Sequence, residues 1–311
     1  QDAMDYIIGQ RAYHTRQIIL KTNIKKKYFS NLLKAELYPY QEEGIIFAAR
    51  AGRCLIADDM GLGKTIQAIG ASELFKNEFG VQNILIICPT SLKYQWKKEI
   101  EKFTKSSVLV VEGNFKNRQS QYVSDSFYKI TNYNVVGADI EAIRKMQPDL
   151  VILDEAQRIK NWQTKTAKEI KKIESTYALV LTGTPIENKL EELYSIIQFI
   201  DPFKLGPLYK FLEEHQIRDE FGKVIGYRKL NDIKKLLSDI IIRRTKAKVL
   251  SQLPGRIDKN LFVPLTEKQA EVHTEHADKV ARLVNKWKRF SFLDEKDRQR
   301  LLIALNCMRM V

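Results

Sequence analysis

The chain has 311 residues, 44% of them hydrophobic, which is enough for one large α/β domain and a smaller module. Its 52 lysine and arginine residues outnumber 38 aspartate and glutamate residues, and the net charge of +14 favours a polyanionic partner. No apolar run approaches the ~20 residues of a membrane-spanning helix and no signal-peptide pattern is present, so we expect an intracellular protein that contacts nucleic acid and no membrane.

Short apolar runs recur through the first two thirds of the chain and predict buried strands. They are continuous in apolar character, as strands covered on both faces of a parallel sheet are. The runs are residues 54–57, 84–88, 108–111, 150–153 and 178–181. Helical patterns lie between them, at residues 65–75, 91–103, 164–175 and 190–200. This alternation predicts the α/β class, with a doubly wound parallel sheet that binds ligands beyond the carboxyl ends of its strands.

The pattern changes after Asp201 and Pro202, where strands become scarce. Charged helical segments are predicted at residues 230–250 and 267–290. We therefore predict three parts: an N-terminal extension at residues 1–34, the sheet domain at 35–204 and a mostly helical module at 205–311. The chain begins at Gln1 and ends inside an apolar helical pattern, so we expect it to be a fragment of a longer protein.

The first predicted strand runs directly into residues 58–65, DDMGLGKT, which we call the phosphate loop, and then into a helix. This is the context of a Walker A motif. Gly61 and Gly63 let successive N–H groups face a phosphate at the positive end of the helix. Lys64 would reach the β- and γ-phosphates, and Thr65 would ligate Mg²⁺. Asp58 stands where the strict GxxxxGK[ST] pattern has its first glycine.

A pair of acids, Asp154 and Glu155, follows the predicted strand at residues 150–153. A carboxylate at a strand end beside a phosphate loop can hold Mg²⁺, and its neighbour can orient and deprotonate the attacking water. We assign Asp154 to the metal and Glu155 to the base. The three cysteines form no CxxC pair, so disulfide, zinc and redox roles are poorly supported.

Several ordered motifs resemble the Swi/Snf-type ATPases, a branch of the superfamily-two helicases. The phosphate loop is similar to that family's DEMGLGKT, with Asp59 in place of the glutamate. The further matches are LYPYQ at residues 37–41, CPTSL at 88–92, DEAQ at 154–157, RIKN at 158–161, LTGTPIEN at 181–188, IRRTK at 242–246 and LP at 253–254. DEAQ departs from the DEAH box of the family, because Gln157 replaces the histidine.

The resemblance implies a RecA-like first lobe of an ATP-driven motor that tracks along duplex DNA. Its nucleotide-binding residues would be Gln41, at the adenine edge, and Asp59, Met60, Gly61, Leu62, Gly63, Lys64 and Thr65 of the phosphate loop. It also implies four residues that couple the nucleotide state to the binding of DNA: Gln157, Thr182, Gly183 and Thr184. Its implied DNA contacts are Thr90, Ser91, Lys93, Lys160 and Asn161, whose groups suit phosphate contacts without sequence preference. Trp96 is predicted to lie on a helix and face the sheet, either as a core residue or as an aromatic platform for stacking.

The resemblance also implies that arginines from a second lobe complete hydrolysis, and no motif after Leu253 resembles that lobe. We therefore expect the chain to bind ATP and Mg²⁺ and to hydrolyse ATP weakly, since an arginine finger is worth roughly 10³ to 10⁵ in rate. Two interpretations of Arg243 and Arg244 are open: they brace the junction with a second lobe, or they lie on a solvated helix. The sequence does not identify a protein partner.

Two other functions are open from the sequence. One is a DNA or RNA helicase that separates strands. The other is a binding module that uses a nucleotide as a switch without productive turnover, although Lys64, Thr65, Asp154 and Glu155 are all present.

Overall fold

The fold is described from a computed structural model, which covers residues 29, 31–183, 189–249 and 264–310. The chain divides into two compact units, Gln1–Leu253 and Pro254–Val311. Our predicted borders after residues 34 and 204 are not borders of these units. The division into an extension, a lobe and a helical module stays a prediction.

A seven-stranded sheet forms the centre of the first unit, and all six of its strand pairings are parallel. The strand order is β3-β4-β2-β5-β6-β1-β9. Its strands are β1 Arg53–Ile56, β2 Ile84–Cys88, β3 Val108–Val110, β4 Tyr128–Asn132, β5 Leu150–Leu153, β6 Tyr177–Leu181 and β9 Ile241–Ile242. The five strands predicted from continuous apolar runs are confirmed, with small differences at their ends.

Helices cover both faces of this sheet. Among the described residues of the first unit, the α-helices are α1 Pro39–Ala51, α2 Lys64–Phe79, α3 Lys93–Phe103, α4 Phe115–Tyr122, α5 Tyr133–Met146, α6 Lys165–Ile170, α7 Leu190–Ile200, α8 Leu208–His215, α9 Leu230–Leu236 and α10 Lys246–Val249. Successive residues of β1 point to opposite faces: Leu55 joins a core cluster with α5 and α7, whereas Ile56 joins one with α1, α2 and α3. The doubly wound α/β fold class is therefore confirmed.

The segment predicted as helical at residues 230–250 is only partly so. Between α9 and α10 lies β9, which adds a seventh strand by pairing with β1. A two-residue strand is too short to show a period of its own, so the surrounding charged pattern concealed it. Before this segment, between α8 and α9, lies an antiparallel hairpin of β7 Gln216–Arg218 and β8 Val224–Tyr227, which was not predicted.

The described part of the second unit consists of two helices, α11 Glu267–Phe290 and α12 Glu295–Met310. The bounds of α11 agree with the prediction. Its start is fixed by a capping box, in which Thr266 accepts from the backbone of Gln269 and the Gln269 side chain accepts from the backbone of Thr266. Across the residues that the structure covers, every helix is too short or too polar to cross a membrane.

Candidate functional site

The phosphate loop connects the end of β1 to the first residue of α2. Gly61 and Gly63 have φ values of +85° and +70°, a region that side chains rarely adopt, so the tight path of this loop needs glycine. Leu62 between them is buried against Tyr40 and Val249 and anchors the loop from below. The loop thus presents backbone N–H groups at the positive end of a 16-residue helix, which suits a phosphate.

Lys64 is half-buried, and its ammonium donates to two carbonyl oxygens of its own loop. The distances are 3.0 Å to the oxygen of Asp58 and 3.3 Å to that of Asp59. Burial lowers the pKa of Lys64, and the nearby carboxylates, first Glu155 and then Asp58 and Asp154, oppose that shift. The structure therefore brings Lys64 into electrostatic range of the acidic pair, as the sequence predicted.

Asp154 lies just beyond the carboxyl end of β5, where its backbone N–H donates to the carbonyl of Ile87 at 2.9 Å. Its buried carboxylate accepts two hydrogen bonds, at 2.8 Å from the indole of Trp96 and at 2.9 Å from the backbone N–H of Glu155. Burial raises the pKa of Asp154, and the Trp96 hydrogen bond is the main opposing effect. Both oxygens are thereby held in fixed directions.

Glu155 has φ 52° and ψ 56°, a left-handed conformation that is strained for a residue with a side chain. Its carboxylate accepts a hydrogen bond at 2.7 Å from the side-chain amide of Gln157. The same amide's oxygen accepts from the hydroxyl of Thr182 at 3.3 Å. The structure therefore connects the acidic pair to Thr182, the residue that follows β6, and this connection involves two of the coupling residues that the resemblance implied.

Gly183 follows Thr182 and lies against Lys64. A Cβ atom at this position would be 3.2 Å from the Lys64 ammonium and 2.8 Å from Met60. Thr184, the remaining predicted coupling residue, lies outside the described residues. The chain leaving β6 is thus in direct contact with the phosphate loop.

Gln41 is buried near the start of α1, where its oxygen accepts from the backbone N–H of Tyr38 at 3.1 Å. Its amide nitrogen would lie 2.6 Å from a Cβ atom at Gly63, so the side chain packs against the phosphate loop. Its capping bond to Tyr38 fixes the amide plane. The rest of the predicted nucleotide set differs in exposure: Asp59 and Thr65 are half-buried, Leu62 is buried and Met60 is 63% exposed.

The residues predicted to contact DNA follow β2 and β5, which are neighbouring strands, so they share the edge of the sheet with the phosphate loop. Thr90 and Ser91 are exposed, and so are Lys160 and Asn161. Lys160 also lies 3.2 Å from the carboxylate of Glu192.

Lys93 differs from the other predicted DNA contacts. It is buried, and its ammonium lies 3.6 Å from the carboxylate of Glu112. A contact between this ammonium and DNA would require the side chain to move, because its charge is already paired inside the fold.

Sequence reasoning left four side chains out of the site. Trp96 is both core and a donor to Asp154, and the hydroxyl of Tyr133 donates to the Asp154 carbonyl at 2.7 Å. Arg244 lies on no helix and is buried against Asp58, while Gln67 donates to the same carboxylate at 3.1 Å. The signal in the sequence was Asp58, because a carboxylate in place of the first glycine of a strict Walker A motif needs a partner if it is buried.

Comparison with known proteins identifies the family of this chain. The family model described as the SNF2-related domain matches residues 40–308. The chain belongs to this family. Because the match runs through α12, this SNF2-related chain carries family sequence in both compact units.

Similar proteins carry names of helicases and translocases. An uncharacterized ATP-dependent helicase of Mycoplasma genitalium is 36% identical over 76% of this chain, which spans 23% of its length. The human DNA annealing helicase and endonuclease ZRANB3 is 35% identical over 83% of the chain, which spans 25% of its length. The chain therefore spans about a quarter of the curated relatives it matches.

The fold agrees with a solved structure. The Sulfolobus solfataricus SWI2/SNF2 ATPase core in complex with double-stranded DNA matches with a TM-score of 0.64 and 31% sequence identity, over 89% of this chain and 58% of that one.

Proposed function

We propose that this chain is the first lobe of an ATP-dependent DNA translocase. The observation that carries the proposal is the convergence of Lys64, Asp154 and Glu155 at one edge of the sheet, with the Glu155–Gln157–Thr182 hydrogen bonds behind them. A lysine on a phosphate loop and a carboxylate pair on a nearby strand are the parts that phosphoryl transfer from ATP requires. The SNF2-related family and the ATPase core of the similar structure support the same chemistry.

In this proposal ATP binds with its phosphates at the phosphate loop. Lys64 exchanges the carbonyl oxygens of Asp58 and Asp59 for phosphate oxygens, and Gln41, which packs against Gly63, binds the adenine edge. Glu155 orients the attacking water and accepts its proton. Gln157 holds the Glu155 carboxylate in position at 2.7 Å.

Mg²⁺ fits the donors that the site offers. Thr65 supplies a hydroxyl and Asp154 a carboxylate, which are the hard oxygen ligands that Mg²⁺ prefers, and Mg²⁺ commonly keeps waters and phosphates as its remaining ligands. No group of three or more histidine, cysteine or acidic side chains among the described residues forms a metal site. Bound by Thr65 and Asp154, Mg²⁺ would neutralise phosphate charge.

The proposed DNA contact is the edge that carries Thr90, Ser91, Lys160 and Asn161. These groups are exposed after β2 and β5 and offer hydroxyl, amide and ammonium groups for phosphate oxygens. The net charge of +14 favours the same partner, and the similar archaeal core was solved with double-stranded DNA. Such contacts weaken steeply as the salt concentration rises.

Productive hydrolysis is proposed to need a second lobe. The chain spans 58% of the similar ATPase core, and among the described residues no arginine guanidinium forms a hydrogen bond or ion pair with the side chain of Lys64, Asp154 or Glu155. A cation from the second lobe would then stabilise the negative charge of the transition state, as arginine fingers do.

The test is an ATPase and nucleotide-binding assay of the intact protein with and without duplex DNA. We expect Lys64→Ala to abolish nucleotide binding, whereas Lys76→Ala on the same helix leaves it intact. Glu155→Gln should bind ATP normally and lose DNA-stimulated turnover, because only the proton acceptor is removed. Unchanged DNA-dependent biology with Glu155→Gln would favour a nucleotide switch, and strand displacement by the wild type would favour a strand-separating helicase.

A further inference from the structure

Asp58 departs from the glycine of a strict Walker A pattern, and its side chain is completely buried beneath the phosphate loop. Both carboxylate oxygens are saturated with hydrogen bonds. One accepts from the backbone N–H of Arg244 at 2.9 Å and from its Nε at 3.1 Å. The other accepts from Arg244 Nη2 at 2.5 Å and from the amide of Gln67 at 3.1 Å. A buried carboxylate is tolerable only with such compensation.

The Arg244 guanidinium makes further contacts around Asp58. Besides Asp58, its guanidinium donates to the oxygen of Gln67 at 2.6 Å and to the carbonyl of Tyr40, and it lies over the Tyr40 ring at 5.4 Å. Only 8% of its surface is exposed. One planar cation thus ties together the phosphate loop, helix α1 and helix α2.

The room for this cation is provided by Gly44 on α1. A Cβ atom there would lie 1.9 Å from the oxygen of Gln67 and 2.8 Å from Arg244 Nη2, so any side chain would displace the network. The backbone reinforces the contact. The N–H of Asp59 donates to the carbonyl of Arg244, and the N–H of Lys246 donates to the carboxylate of Asp59, both at 3.0 Å. Residues 244–246 therefore run along the start of the phosphate loop.

The link to the proposed phosphate-binding group is direct. The Lys64 ammonium donates to the carbonyl of Asp58, the same residue whose carboxylate Arg244 holds. Fixing the Asp58 side chain fixes the direction of that carbonyl and the path of the loop towards Gly61. Without the cation, a buried charge directly under the loop would attract Lys64 away from a phosphate.

We propose that Arg244 is a positioning residue for nucleotide binding, which holds the phosphate loop in its binding shape through Asp58. This inference rests on the proposed function, in which the loop and Lys64 bind nucleotide phosphate. Arg244 itself touches no phosphate. It replaces, by a long-range ion pair, the compact turn that a first glycine gives to a strict Walker A loop.

The test is a fluorescence titration of the intact protein with a fluorescent ADP analogue, below the melting temperature of every variant. Arg244→Met should raise the nucleotide Kd on the order of 10- to 100-fold, the range seen when an outer partner of a binding group is lost. The matched control is Arg243→Met, since Arg243 is exposed and loses the same charge. The double variant Asp58→Gly with Arg244→Met removes both charges and should bind markedly better than Arg244→Met alone.

A purely structural role gives a different pattern. It predicts a lower melting temperature for Arg244→Met with an unchanged Kd in the folded protein, and that result overturns the inference. Equal Kd values for the single and double variants overturn it too. If the wild type binds no nucleotide, the proposed function itself fails, and the inference fails with it.

If Arg244→Met does not fold, hydrogen exchange of the wild-type protein tests the inference about Arg244 instead. The amides of Arg244 and Lys246 donate to carboxylates of the loop, so ADP should slow their exchange if loop shape and nucleotide binding are coupled. The hairpin of β7 and β8 is the internal control and should not change. Exchange that is unaffected by ADP at Arg244 and Lys246 overturns the inference.

Discussion

The substitution Trp96→Phe tests whether the buried indole tunes the acid proposed to hold Mg²⁺. It removes the N–H that donates to Asp154 at 2.8 Å and keeps an aromatic ring in the core. A hydrogen bond to a charged group is worth about 1.5–3 kcal/mol, which corresponds to a factor of about 10 to 150 in any equilibrium that needs the charged form. The ionised form of Asp154 should be disfavoured by that factor in the variant.

The sign follows from the causes of the pKa shift. Burial raises the pKa of Asp154 above the ordinary aspartate value, and the Trp96 hydrogen bond opposes it, so the variant's pKa must lie higher still. The acid limb of kcat/KM for ATP, which reports the enzyme before nucleotide and metal bind, should therefore move to higher pH in Trp96→Phe. The folded state holds this proton more tightly than the unfolded state, so unfolding free energy falls as the pH rises between the two pKa values. The variant widens that interval.

The assay is the pH dependence of kcat/KM for ATP in the intact protein with Mg²⁺ and duplex DNA. Trp162→Phe is the matched control, because Trp162 is 39% exposed. At high pH, where Asp154 is ionised in both free proteins, kcat/KM of Trp96→Phe should approach the wild-type value. A loss of the same size at every pH would refute the reasoning, since it would show that the indole serves packing alone.

Of three further predictions, two concern the site and one concerns Arg53, at the opposite end of β1. Gly183→Ala places a methyl group 3.2 Å from the Lys64 ammonium and should weaken nucleotide binding in titrations more than it lowers the melting temperature. Gln157→Ala frees the Glu155 carboxylate and should lower kcat while leaving the Kd for ATP unchanged. Arg53→Met removes a guanidinium that donates to three backbone carbonyls and should lower the melting temperature by roughly 2–10 °C, with no effect on nucleotide Kd.

The part of the fold that the sequence predicts well depends on local patterns. Continuous apolar runs identified β2 and β5 with their observed bounds, because both strands are buried along their whole length. β4 was missed because Lys129 interrupts its apolar run. The structure shows this lysine fully buried in the sheet, with its ammonium donating to the carbonyl of Ser126 at 2.7 Å. A strand that contains a charged residue gives no continuous apolar signal.

The functional site likewise has parts that local sequence patterns predict and parts that they do not. The phosphate loop and the acidic pair follow strands, so topology alone brings them to one edge, and the sequence predicted both. The Arg244–Asp58 contact joins residues 186 positions apart, and no periodicity or short motif encodes it. Likewise Trp96 fits the period of a core helix, and its N–H bond to Asp154 depends on how α3 packs across the sheet. Such contacts are set by tertiary packing, which local patterns do not contain.

Two features at the end of β5 oppose folding, and they fall on the two residues proposed for the chemistry. Glu155 occupies a left-handed conformation that costs a side-chain-bearing residue about 1–3 kcal/mol, and glycine would remove that strain. Burial raises the pKa of Asp154, which means that its charged form is disfavoured, and asparagine could still accept from Trp96 without that penalty. Stability alone would therefore favour other residues at both positions. Their presence is explained if the site needs two oriented carboxylates opposite Lys64, which is what metal binding and proton transfer require.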